Sequence, residues 1–123
     1  MNITVIDKTA NKTVFTKAKE ALGFFRRLRG LMFRKTMPPE EALIFYRAPS
    51  IHTFFMRFDI DIIFLNENKQ VMKIYGNLKP NRMIYCSNSY YTIECLGGST
   101  SLKGIEAGHY IELVKENPVK QES

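Results

Sequence analysis

The chain has 123 residues, 45% of them apolar, with 18 Lys and Arg against 12 Asp and Glu and a formal net charge of +6. That length fits one domain and can bury enough surface to fold without disulfides or metals. No run approaches the roughly 18 apolar residues of a membrane span, and the N-terminal "MNITVIDKTANKTVF" has no apolar stretch behind a basic start, so a soluble, cytoplasmic protein is expected. The positive charge favours anionic partners without choosing among nucleic acid, an acidic protein and an acidic membrane surface.

The first elements are strands. "NITVI" and "KTVF" are apolar and β-branched, separated by the polar, turn-like "DKTAN". "KAKEALGFFRRLRGLMFRK" follows, with Ala18, Ala21, Leu22, Phe25 and Leu28 at helical spacing. This spacing predicts an amphipathic helix ended by Gly30, with Arg26, Arg27 and Arg29 near its C-terminal end, where the helix dipole favours positive charge. Pro38 and Pro39 make "TMPPEE" a loop. "ALIFY" is a short buried strand, and "RAPSIHTFFM" has no clear assignment.

"DIDIIFL", "NENK" and "QVMKIYG" form the clearest hairpin. "NLKPNRM" reads as irregular and "YYTIECL" as a strand of high β-propensity. Gly97 and Gly98 make a turn, and Ser99 to Leu102 a single helical turn. "GIEAGHYIEL" is a tight loop feeding a last strand. The expected domain spans residues 1–115, and the polar tail 116–123 is expected to fray. The predicted fold is therefore α+β, mostly β: a compact curved antiparallel sheet or small barrel with one amphipathic helix.

Three stretches in order, "RLRGLMFR", "IHTFFMRFDIDIIFL" and "NLKPNRMIYCSNSYYTIECLGG" with its continuation "LKGIEAGHYIEL", resemble the domain-of-unknown-function family numbered 192. The resemblance covers about residues 20–114. It implies a small β-rich domain of bacteria and archaea with no established biochemical role. The family's motif positions fall on Arg29, Gly30, Leu31, Met32 and Arg34, on His52, Phe54, Met56, Asp61 and Phe64, and on Glu94, Gly98 and Gly108. Asp59 stands where the family has a proline, Asn81 where it has an aromatic, and His109 where it has an aspartate. The last change weakens any role that needs a carboxylate in that loop.

Polar residues in apolar strands are the candidate site. Asp61 shares a strand face with Asp59, Ile63 and Leu65, while Ile60, Ile62 and Phe64 share the other. A buried carboxylate needs partners or a proton. Asp61 is thus either a structural lock, held by backbone N–H groups of the turn before it or by Arg29 or Arg34, or a general base or ligand anchor at a pocket rim. His52 either holds the "APSIHTF" turn or works beside a carboxylate near neutral pH. Glu94 is either solvated or convergent with them, and Met56 frames the same stretch.

No catalytic residue is assigned, and no metal or cofactor is expected. His52, Cys86, Cys95 and His109 lack metal-ligand spacing, and the two cysteines read as free thiols, small buried hydrophobes in a reducing compartment. Arg26, Arg27 and Lys35 are candidate anion or nucleic-acid contacts, against the simpler reading of a solvated helix face. The leading expectation is a non-enzymatic binding module with a cleft near His52, Asp61 and Glu94, taking a small molecule or a peptide. The alternatives are a small hydrolase-like enzyme using His52 with Asp61 or Glu94, and an accessory protein docking on nucleic acid or a complex through the basic helix. Nucleic acid is less favoured, and a membrane is not expected.

Overall fold

The computed structural model describes residues 2–23 and 31–116. Alternating apolar residues lay down the first strands: β1 (Ile3–Asp7) buries Ile3 and Val5 and turns into β2 (Lys12–Glu20). The other strands are β3 (Glu41–Tyr46), β4 (Ser50–His52), β5 (Ile60–Leu65), β6 (Val71–Leu78), β7 (Met83–Tyr85), β8 (Tyr91–Leu96) and β9 (Ile111–Lys115). One short helix, α1 (Ser99–Lys103), follows β8.

Seven strands form one curled sheet in the order β6-β5-β8-β3-β2-β1-β9, a half-barrel; β4 and β7 form a separate two-stranded ribbon. All pairs are antiparallel except β2 with β3. The curl brings the two ends of the sheet together. Backbone bonds join Lys69 and Val71, at the start of β6, to Gly108, His109 and Ile111, at the start of β9.

β5 explains why its sequence is apolar throughout: all six of its residues are buried. Ile63 and Leu65 enter a first core with Ile3, Val5, Phe15, Ile44 and Ile93. Ile60, Ile62 and Phe64 enter a second core with Leu31, Met37, Ile51 and Met56. A strand between two apolar layers needs no polar face, which is the alternation expected for "DIDIIFL". Full burial of a side chain such as Phe64 stabilises by about 1.5–3 kcal/mol, so each core anchors β5 independently. The ribbon closes the second core by contributing Ile51 and Ile84.

The helix expected from Lys17, ended by Gly30, is corrected at its start. Lys17–Glu20 belongs to β2, where Ala18 pairs with Ala42 of β3, and Ala21 N–H bonds to Ile44 O. Ala18 and Ala21, three residues apart, fit a helical face, but the long-range pairing of Lys17–Glu20 with β3 overrides that spacing. Past Gly30, where the helix was expected to have ended, residues 31–33 form a turn, with Phe33 left-handed at φ 68°. The end of the expected helix, with Arg26, Arg27, Arg29 and Gly30, lies outside the described residues, as do residues 117–123 of the expected tail. Glu116 N–H, placed in that tail, bonds to Asn2 O. The unassigned "RAPSIHTFFM" supplies β4, and the supposedly irregular "NLKPNRM" supplies the end of β6 and the start of β7.

Candidate functional site

Asp61 is the most heavily bonded side chain among the described residues. It is fully buried, and its carboxylate ties three elements together. Oδ1 accepts the backbone N–H groups of Asn77 (2.8 Å) and Gly98 (2.9 Å). Oδ2 accepts the N–H of Thr100 (2.8 Å) and its hydroxyl (2.6 Å). Asp61 thus caps the start of α1 from another strand, a job that the helix's own N-cap, Gly98, has no side chain to do. Gly98 fits because its φ of 88° suits a residue without Cβ. Gly97 fits because a Cβ there would lie 2.9 Å from both Asp59 O and Asn77 Oδ1.

Of the two arginines considered for Asp61, Arg34 pairs instead with Glu41 (2.8 Å), and Arg29 lies outside the described residues. The bonds on Asp61 come from the end of β6, from the turn after β8 and from the start of α1 rather than from the turn before it.

Asp61 and Glu94 do not converge. Asp61 pairs across the sheet with Cys95, and Glu94 with Ile62. Cross-strand partners share a face, so Asp61 faces the first core and Glu94 the second. Glu94 lies between Leu43 and Ile62 in its layer, is 5% exposed and makes no hydrogen bond among the described residues. Burial pushes its carboxyl up to about 8, so it is held protonated through neutral pH. Burial likewise raises the thiol of Cys95, reinforced by the nearby Asp61 charge, and leaves it an inert core group.

His52 stands at the end of β4, opposite Met83 of β7. Its Nδ1 is buried without a hydrogen-bond partner among the described residues, and its ring stacks on Phe54 (centroids 5.2 Å apart, 24° between planes). Met56 is buried in the second core and serves packing. Lys35 is exposed.

Around His52 the surface is aromatic. Ile51 and Ile84 face the core, so the other ribbon face carries Ser50, His52, Met83 and Tyr85. Tyr85 is 64% exposed, and Phe33, Phe54, Phe55 and Met83 are exposed with it. Phe33 N–H bonds to Phe55 O (3.1 Å), and their rings meet at 5.6 Å. Both have positive φ, 68° and 65°. Among the described residues, four of the eight non-glycine residues with positive φ are asparagines, which tolerate it; a bulky aromatic there is strained by about 1–2 kcal/mol.

Two polar centres escaped sequence reasoning. Thr53, fully buried, donates its hydroxyl to Lys79 O (2.8 Å) and accepts Arg82 N–H (2.8 Å), fixing the loop into β7 beside β4. Its only signal was a threonine in an apolar stretch. Asp7, also buried, lies 2.7 Å from His109 Nδ1 and takes the Ala10 N–H at 3.1 Å. The loop that lacks its expected aspartate therefore receives a carboxylate from β1. An acid ending β1 and a histidine in that loop were the available signal. Among the described residues no three His, Cys, Asp or Glu side chains are grouped to hold a metal, and no helix is long and apolar enough to cross a membrane.

The fold and these residues define a class: a small, curled β half-barrel with a ribbon closing its second core. The comparisons agree. The family model described as Uncharacterized ACR (DUF192) matches residues 5–113. A UPF0127 protein of Pyrococcus furiosus is 34% identical over 88% of this chain and 96% of its own length. Another, of Thermococcus kodakarensis, is 40% identical over 94% and 80%. A solved protein of unknown function from Novosphingobium aromaticivorans superposes with a TM-score of 0.78 at 28% identity, covering 89% of this chain and 82% of that one. A Sinorhizobium meliloti protein shares the fold at a TM-score of 0.79 and 20% identity, over 90% and 91%. The chain belongs to the DUF192 (UPF0127) family.

Proposed function

We propose that the protein is a non-enzymatic binding module whose binding surface is the outer face of the β4–β7 ribbon, around His52, Phe54, Phe55, Phe33, Met83 and Tyr85. One observation carries the reading: Phe33 and Phe55 are exposed yet held in a strained conformation. Strain at exposed aromatics adds nothing to folding, and it persists where a surface is used. Contiguous exposed apolar surface is also the ordinary mark of an interaction site. Asp61 has no part in this face, because its lone pairs are filled by Asn77, Gly98 and Thr100. Glu94 belongs to the core layer that the ribbon closes. The ligand class is flat or apolar groups, of a small molecule or of a chain.

The test is an amide NMR titration with indole, a flat aromatic probe. Shifts should concentrate on residues 33, 52–55 and 83–85 and leave Asn77, Gly98 and Thr100 in place. Shifts confined to other parts of the surface, or none at millimolar indole, would reject the ribbon face as the binding surface.

A further inference from the structure

The segments that frame the ribbon are one-sidedly charged. Lys35 follows Phe33 by two residues, Arg57 follows Phe55 by two, and Arg82 precedes Met83. All three are exposed and make no ion pair among the described residues. Of the acids in these segments, Asp59 pairs with Lys79 at 2.6 Å and Glu41 with Arg34 at 2.8 Å, and Glu40 makes no ion pair among the described residues. The balance beside the rings is positive: Lys35, Arg57 and Arg82 make no ion pair among the described residues.

The rings themselves are arranged as shelves. His52 and Phe54 lie 24° from parallel, and Phe33 and Phe55 lie 32° from parallel. Tyr85 sits on the same ribbon face as His52 and two residues along β7 from Met83, its cross-strand partner. Two residues of strand advance about 6.7 Å, which sets successive rings apart along one direction. Thr53 holds the two strands' flanks in register through its bonds to Lys79 and Arg82, so Arg82 and Phe54 are fixed relative to each other along the chain.

We infer that the ribbon face binds single-stranded nucleic acid, its bases stacking on Phe54, Tyr85 and the Phe33–Phe55 pair and its phosphates meeting Lys35, Arg57 and Arg82. This rests on the binding-face reading above and names its ligand. Exposed rings and cations without an ion pair, on the ribbon and on the turns beside it, are what unpaired bases and a polyanionic backbone require together. A duplex fits less well, since its bases are already stacked. An acidic, apolar peptide would meet the same charges, but exposed rings with free faces, beside the stacked His52–Phe54 pair, suit flat bases better.

The experiment is fluorescence anisotropy of the full chain with labelled fifteen-residue oligothymidylate and oligouridylate at several salt concentrations, with polyglutamate as competitor. Saturable binding is expected. The Phe54→Ala, Tyr85→Ala double variant should weaken it about tenfold or more, with an unchanged circular-dichroism melt. Arg57→Ala with Arg82→Ala should reduce the slope of log affinity against log salt by about 1.4, from roughly 0.7 per lost phosphate contact. Preference for one oligonucleotide tells RNA from DNA, and either preference supports the inference. Absent binding, binding indifferent to the aromatic variants, or full displacement by polyglutamate overturns it. If indole still maps to the ribbon in those cases, the nucleic-acid assignment alone falls; if indole fails as well, the binding-face reading falls with it.

Discussion

Replacing Asp61 by Asn is nearly isosteric, yet the structure makes it costly. Each carboxylate oxygen faces two donors: Asn77 and Gly98 N–H on Oδ1, Thr100 N–H and hydroxyl on Oδ2. An amide must present its NH2 to one of these pairs. On the Oδ1 side it would oppose two backbone N–H groups that cannot turn away. On the Oδ2 side the Thr100 hydroxyl can rotate to accept, and only the Thr100 N–H is orphaned. The second orientation therefore wins. It leaves one buried donor unsatisfied, at about 1–3 kcal/mol, and turns two charge-assisted bonds into neutral ones, at about 1 kcal/mol each. Relief from burying a charge offsets part of this, so Asp61→Asn should destabilise by about 3 kcal/mol. Asp61→Ala orphans all three N–H groups and should be worse. The chain has no tryptophan, so far-UV circular dichroism in urea is the suitable assay. An Asp61→Asn midpoint equivalent to less than about 0.5 kcal/mol of loss would refute the argument that the carboxylate locks β5, β6 and α1 together.

Three further outcomes follow from the same geometry. Glu94 has a folded pKa raised from 4.5 to about 8, so the folded state keeps a proton that the unfolded chain releases. Its stability contribution is whole below about pH 4.5, falls by about 1.4 kcal/mol per pH unit across the window up to about pH 8, and then levels off. Glu94→Gln, which mimics the protonated form, should flatten the stability–pH curve between pH 5 and 8, and parallel curves for the two proteins would sink this account of Glu94. Thr53→Val keeps the shape but strands Arg82 N–H and Lys79 O, and should cost about 1–3 kcal/mol in the same urea assay; a neutral result would mean that the loop into β7 is held by something else. Gly97→Ala forces a Cβ to 2.9 Å from Asp59 O and Asn77 Oδ1 and should lower stability by about 1–3 kcal/mol, whereas an unchanged melt would show that the β8–α1 turn can shift freely.

How much of this was legible in the sequence depended on the range of the interactions. The β5–β6 hairpin was legible because its apolar strands and polar turn are local. The two-faced burial of β5 followed from its period of two, with Ile63 and Leu65 on one side and Ile60, Ile62 and Phe64 on the other. The cost of burying Asp61 was legible too, but its partners lie 16, 37 and 39 residues away, beyond any local pattern. Register was equally out of reach. Asp61 lies opposite Cys95 rather than Glu94, and that offset of one residue sends the two carboxyls to opposite faces. The helix expectation failed at Lys17–Glu20 because the three-residue spacing of Ala18 and Ala21 matches a helical face, and strand pairing with β3 outweighed that local signal. The ribbon was not readable because β4 and β7 are three residues each, too short for alternation to register.

The central claim is that the ribbon's strained aromatics serve binding and not folding, and Phe55→Asn tests it most directly. Asparagine tolerates the left-handed conformation that Phe55 adopts at φ 65°. Relief of about 1 kcal/mol of strain should offset the loss of about 1 kcal/mol from the Phe33 ring contact. A urea midpoint within about 1 kcal/mol of the unaltered protein's, or higher, is expected. A loss of more than about 2 kcal/mol would contradict it, since Phe55 would then be a structural residue despite its exposure.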